Sequence, residues 1–161
     1  MINYTEKPGL PAHLESLGIS ILHVDGSAVS NTEDSIVQSA IDNYDPLPLV
    51  RSDAKNRIIQ QANAAGQALE SLYPEIEKRT FPKQEAEALA FVEDSSAVVP
   101  ILAAISVARG VPVSVLADKV IENTVAYTAQ VGTLAGARQK ADDLIEAETD
   151  YTVIQQINLV L

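Results

Sequence analysis

The sequence predicts a mainly helical protein: a helical module with one long helix, preceded by a small α+β N-terminal module that carries a β-hairpin. Three observations make this prediction. Val113, Leu116, Val120, Thr124, Tyr127, Val131, Leu134, Arg138, Ala141 and Ile145 follow one another at spacings of three and four, the pattern of a helix packed along one seam. Arg138 is the charged member of an otherwise apolar or small series. Near the N-terminus the pattern shortens to apolar runs around Asp25-Gly26, a strong two-residue hairpin signal. Between these regimes stands Asp45-Pro46-Leu47-Pro48, where paired prolines favour extended backbone and block helix continuation. The expected division is residues 1–45 for the small module and 46–161 for the helical one.

Taken in order, Ile2 to Tyr4 reads as a short strand that ends before Pro8 and Gly9. Leu10 to Leu17 makes two helical turns, stopped at Gly18 where a left-handed residue is wanted. Ile19 to Val24 and Ser27 to Ser30 are the hairpin strands. Asn31 or Thr32 can cap the next helix, with Glu33 and Asp34 in its first turn where the helix dipole favours acids. That helix runs to about Tyr44 and buries Ile36 or Val37, Ala40, Ile41 and Tyr44. Beyond the proline break, Leu49 to Leu72 places Ala54, Ile58, Ala62, Ala65, Leu69 and Leu72 on one seam. Tyr73-Pro74 ends it. Thr80 is positioned to cap a helix from Phe81-Pro82 to Val92, with Ala88, Phe91 and Val92 inward. Ser96 to Arg109 is a short apolar helix with Pro100 near its first turn, closed by Gly110. The long helix, Val113 to Ala147, extends roughly 50 Å at 1.5 Å per residue. Thr149 or Asp150 can cap a last short helix from Tyr151 to about Ile157.

Composition narrows the function classes. The formal net charge of −11 argues against nucleic-acid binding, which draws on clustered Lys and Arg at phosphates. With no cysteine and no tryptophan, disulfides and thiolate metal sites are excluded, and burial relies on Ala, Val, Ile and Leu. The apolar window from Ala97 to Ala108 is shorter than the ~20 residues that span a bilayer. MINYTEKPGL lacks the basic and apolar regions of a secretory signal. A soluble, intracellular origin with no membrane partner is the expectation.

Catalytic patterns are sparse. His13 and His23, with Glu15 and Asp25 as neighbouring acids, offer a metal or enzymatic alternative, but their spacing matches no ligand pattern. Acidic pairs at Glu33-Asp34 and Glu93-Asp94 fit helix starts. Asp142, Asp143, Glu146 and Glu148 crowd the unfavourable end of the long helix, where a solvated face, a basic partner or a divalent cation would each accommodate them. The sequence carries no G-x-S-x-G elbow, no G-x-G-x-x-G and no P-loop. Gly132 and Gly136 stand four apart on the long helix, which allows a close approach by another helix or a loosening of the helix at ~1 kcal/mol per glycine.

Several stretches together resemble a group of small proteins encoded beside tail-fibre genes in bacteriophages and prophages, described as tail-fibre assembly or tail-fibre chaperone-like proteins. They are IDNYDPLP (Ile41 to Pro48), KQEAEALAF (Lys83 to Phe91), PILAAISVARGVP (Pro100 to Pro112), and the run from LADKVIENTVAY into GARQKADDLIEA (Leu116 to Ala147). INYTEKPGL and the hairpin around VDGSAV add to it. Phe91 stands where that group carries tryptophan. The resemblance implies a non-enzymatic protein that helps a trimeric fibre fold or attach, or that stays bound in the virion tail, working in the host cytoplasm during assembly. It implies no catalytic residues, cofactor or metal. The expected partners are a tail fibre, another tail protein or copies of this chain. The expected interface lies on the long helix at Leu116, Val120, Tyr127, Gly132, Leu134, Gly136 and Arg138. A host helical adaptor is the remaining alternative.

Overall fold

The computed structural model describes residues 2–24 and 27–161. The fold is mainly helical, with one long helix and a small N-terminal α+β module bearing a β-hairpin. In chain order the elements are α1 (Leu10–Ser16), β1 (Ile21–Val24), β2 (Ser27–Ser30), α2 (Asp34–Asp42), α3 (Leu47–Glu70), α4 (Glu75–Lys78), α5 (Phe81–Glu93), α6 (Pro100–Arg109), α7 (Val113–Ala147) and α8 (Tyr151–Ile154). The strands pair antiparallel, with Ile21 opposite Ser30 and His23 opposite Ala28. The Asp25-Gly26 turn expected between them lies outside the described residues.

The chain forms two compact units. One comprises Met1–Ile59 with Lys140–Asn158, the other Gln60–Gln139 with Leu159–Leu161. Their boundaries cut across the expected 1–45 and 46–161 division, because α3 and α7 each contribute residues to both units.

In the first unit, Ile2, Leu10, Leu14, Ile19, Val37 and Ile41 form a buried cluster, with Tyr4, Ile21, Ala28 and Tyr44 packed on it. Val37 thus takes the inward position on α2, and Ile36 faces outward. Ile2 to Tyr4 is not a strand. The Asn3 amide donates to the Gln38 side-chain oxygen at 2.8 Å, so a side chain of α2 satisfies the backbone that a neighbouring strand would have paired. Asn31 is not a helix cap either. Its side chain accepts from the Ser20 amide at 2.9 Å and donates to the Gly18 carbonyl at 3.1 Å, bracing the α1–β1 connection, and α2 begins after Glu33 without a side-chain cap. Gly18 has the left-handed φ of 72° that the stop of α1 calls for.

The C-terminal end of α7 is held in this same unit by α3. Arg51 Nε donates to the Ile145 carbonyl at 3.3 Å, and its Nη2 donates to the Glu146 and Glu148 carbonyls at 3.1 and 2.8 Å. Lys55 pairs with Glu146. The last turn of α7 carries no base of its own, so these cations from α3 meet both the exposed carbonyls and the negative end of the helix dipole. Part of the acidic cluster therefore has a basic partner inside the chain. Ile58, Ile145 and Ile154 are fully buried, and Arg57 Nη2 donates to the Ile157 carbonyl at 2.8 Å.

In the second unit, Ala88, Val99, Leu102 and Ala117 form the buried cluster, with Phe91, Val113, Val120 and Ile121 against it. Two of its four buried members are alanines, which permits close helix approach, and Leu102 supplies the largest fully buried side chain of the cluster. α6 starts at Pro100 rather than Ser96, because Asp94 folds the preceding residues into a turn by accepting from the Ser96 amide and hydroxyl at 2.8 and 2.7 Å. α6 and α7 meet at a bend of 111°. Val92 and Leu72, both expected inward, are exposed: α3 ends at Glu70, which leaves Leu72 beyond its seam. Thr80 precedes α5 without capping it and donates instead to the Glu77 carbonyl at 2.8 Å. No single helix among the described residues is long and apolar enough to cross a membrane.

Candidate protein-binding surface

The seam of α7 is closed at its ends and open in its middle. Leu116, Ala141 and Ile145 are buried, while Tyr127 and Val131 are 43% and 39% exposed. The apolar spacing that predicts a continuous seam is thus covered by the rest of the chain only where α3 or the α5–α6 pair reaches it.

The open stretch forms one wall of a hollow of about 280 Å³ in the second unit. Val120, Thr124 and Tyr127 come from α7, Phe81 and Glu85 from the first turns of α5, and Tyr73 from the segment before α4. Tyr73 and Phe81 meet edge to face, with ring centroids 5.2 Å apart and planes at 90°, an arrangement favoured by the ring quadrupoles. Of the five tyrosines and two phenylalanines in the chain, Tyr73, Phe81 and Tyr127 gather here, so a scarce residue type is concentrated at one place. Glu85 is half-buried and is the one charged residue among the described residues lining the hollow. Further along α7, Leu134 and Thr133 face Ala65, Leu69 and Leu161 across a second, more apolar hollow of about 350 Å³.

The expected interface residues separate into distinct environments. Leu116 is buried in this chain and has no surface to offer. Val120 and Tyr127 line the aromatic hollow. Leu134 is half-buried, lines the second hollow and lies against Gly66, 3.8 Å from where a Cβ on that glycine would sit. Arg138 is half-buried. Gly132 and Gly136 are exposed, with no described atom within 4 Å of where their Cβ atoms would sit. At ~100° per residue they lie about 140° and 180° around α7 from Tyr127. The glycine pair is therefore off the seam, and the close approach to another helix of this chain occurs at Gly66 instead.

The histidines stay apart from these hollows. His13 stacks on Tyr44, centroids 4.8 Å apart, and His23 meets Tyr4 edge on at 5.4 Å. Glu15 and His23 line one shallow hollow and His13 another; Asp25 lies outside the described residues. Among the described residues no group of three His, Cys, Asp or Glu side chains is placed to hold a metal ion.

The spacing of the sequence does not reveal Tyr73, Phe81 and Glu85 as a group with Tyr127, because Tyr73 precedes α4, Phe81 and Glu85 open α5, and both segments meet α7 only in three dimensions. The one available signal was the scarcity of aromatics, which makes any two exposed rings close together worth notice. Comparison with family models, curated proteins and solved structures gives no match for this chain.

Proposed function

We propose that this chain acts by binding another protein chain, as a bacteriophage tail-fibre assembly factor or a subunit retained in the virion tail, without catalysing a reaction. The observation that carries the proposal is the aromatic hollow where the α7 seam opens: Tyr73, Phe81 and Tyr127 are each more than a third exposed and adjoin one cavity. Clustered exposed aromatics rimmed by polar side chains are what protein interfaces use as anchors. A net charge of −11 supports the same reading, since it keeps a complex that shields apolar fibre surface soluble. The fibre as partner rests on the sequence resemblance, and the place of action is then the host cytoplasm during assembly or the tail itself.

Co-expression with a tail fibre encoded beside this chain tests the proposal. Soluble, trimeric fibre should depend on this chain, and Tyr127→Ala should reduce its yield while the variant remains folded. Fibre that trimerises equally well without the chain, together with no co-sedimentation of the two, would overturn it.

A further inference from the structure

We propose that the aromatic hollow receives an arginine side chain presented by the partner, with the guanidinium on the Glu85 carboxylate and its flat face and aliphatic stem against the rings of Tyr73, Phe81 and Tyr127. The inference rests on the reading of this hollow as a protein-binding surface and specifies what enters it. The Glu85 side chain makes no hydrogen bond or ion pair with any described residue, and the residue is half-buried at the wall of the cavity. A carboxylate that stands beside three aromatic rings without a cation favours a ligand that brings one. An apolar plug would bury the carboxylate further without a partner, and an anion would meet a like charge on a chain of net charge −11.

Among cations, the surroundings select guanidinium. Its planar, weakly hydrated head stacks on aromatic faces and pairs two-pronged with a carboxylate, whereas an ammonium is a compact and strongly hydrated point charge. Thr124 and Thr128 add hydroxyl acceptors to the same wall, which suits the five N–H donors of arginine. The volume of about 280 Å³ leaves ample room for one long side chain.

The test is a ¹⁵N–¹H NMR titration of the full chain with N-acetyl-arginine amide at ~0.15 M salt, which screens diffuse attraction to the acidic surface. N-acetyl-citrulline amide and N-acetyl-lysine amide run in parallel. Saturable shifts confined to amides around Tyr73, Phe81, Glu85, Thr124 and Tyr127 are expected with the arginine probe. Glu85→Gln, which preserves shape and removes charge, should weaken binding at least tenfold, and so should Tyr127→Leu. Spectra of both variants outside the hollow should match the wild type. Scattered, non-saturating shifts, equal binding of the citrulline or lysine probe, or unchanged affinity in Glu85→Gln would each overturn the proposal. So would sedimentation showing that a second copy of the chain already fills the hollow. The fibre assay fails separately: fibre rescue without arginine binding removes this inference and leaves the functional reading, and the reverse result removes the functional reading alone.

Discussion

Glu87 should hold the start of α6 in place, and replacing it should loosen that helix before the rest of its unit. α6 begins with two residues that cannot cap it. Val99 occupies the N-cap with an apolar side chain, and Pro100 has no N–H. The first free donors are the amides of Ile101 and Leu102, and Glu87 Oε2 accepts both at 2.9 Å from the neighbouring helix α5. Glu87 is only 7% exposed, so solvent screens this interaction little. Loss of a cap costs ~0.5–2 kcal/mol, and a buried amide left unpaired costs ~1–3 kcal/mol; both figures describe the same amides and do not add. The variant also escapes the burial of a charge whose Oε1 has no hydrogen-bond partner, which offsets part of the loss. Glu87→Ala should therefore destabilise by ~2 kcal/mol, or about 4–8 °C in Tm for a chain of this size. Glu87→Gln keeps one acceptor and should cost ~1 kcal/mol. Urea unfolding followed by far-ultraviolet circular dichroism measures both, and amide hydrogen exchange should quicken first at Ile101 and Leu102. An alanine variant within ~0.5 kcal/mol of wild type at an unchanged m-value, with those amides still protected, would refute the capping argument.

Other perturbations probe the rest of the framework. Ile58→Ala, at a fully buried site, should cost ~2–5 kcal/mol, while Leu134→Ala, only half-buried, should cost about half as much in the same urea titration; equal losses would mean that the α7 seam is covered more fully than its exposure indicates. Arg51→Ala removes three hydrogen bonds from the end of α7 and should cost ~1–2 kcal/mol, with Arg51→Lys recovering less than half because one ammonium cannot reproduce the fork; full recovery by lysine would show that charge alone matters. Gly132→Ala fills open space on an exposed helix face and should raise stability by up to ~1 kcal/mol; a lower Tm would show that the face is already occupied. The Asp150 carboxyl is held below its ordinary range chiefly by the hydroxyl of Thr152, then by the Thr152 amide. Its folded value is depressed, so its contribution is complete above about pH 4 and is lost as pH falls through the lower folded value. The Tm difference between wild type and Asp150→Ala should accordingly narrow from pH 5 towards pH 2, and a difference independent of pH would contradict the hydrogen-bonded cap.

Local chemistry made several elements legible in the sequence. The three-and-four spacing after Val113 fixes a helix because neighbours at those separations share one face, and the observed α7 spans the expected Val113–Ala147. Gly18 marks the end of α1 through its access to positive φ, and Asp150 caps α8 by accepting from the Thr152 amide at 2.8 Å. The proline pair that separates the two regimes sits at the start of α3, where Pro48 falls in the first turn and its missing N–H has no helical partner to lose. All of these depend on residues within a turn or two of one another. Tertiary structure alone decided the remainder. Glu87 reaches an amide 15 residues away, and Arg51 reaches carbonyls up to 97 residues away, distances over which no periodicity carries information. The seam of α7 shows the same division in one element: the sequence determined which residues share a face, and burial followed from which other segments folded onto that face. At Leu116 and Ile145 packing elements arrive and exclude water; at Tyr127 they stop short, and apolar surface is left open beside an unpaired carboxylate.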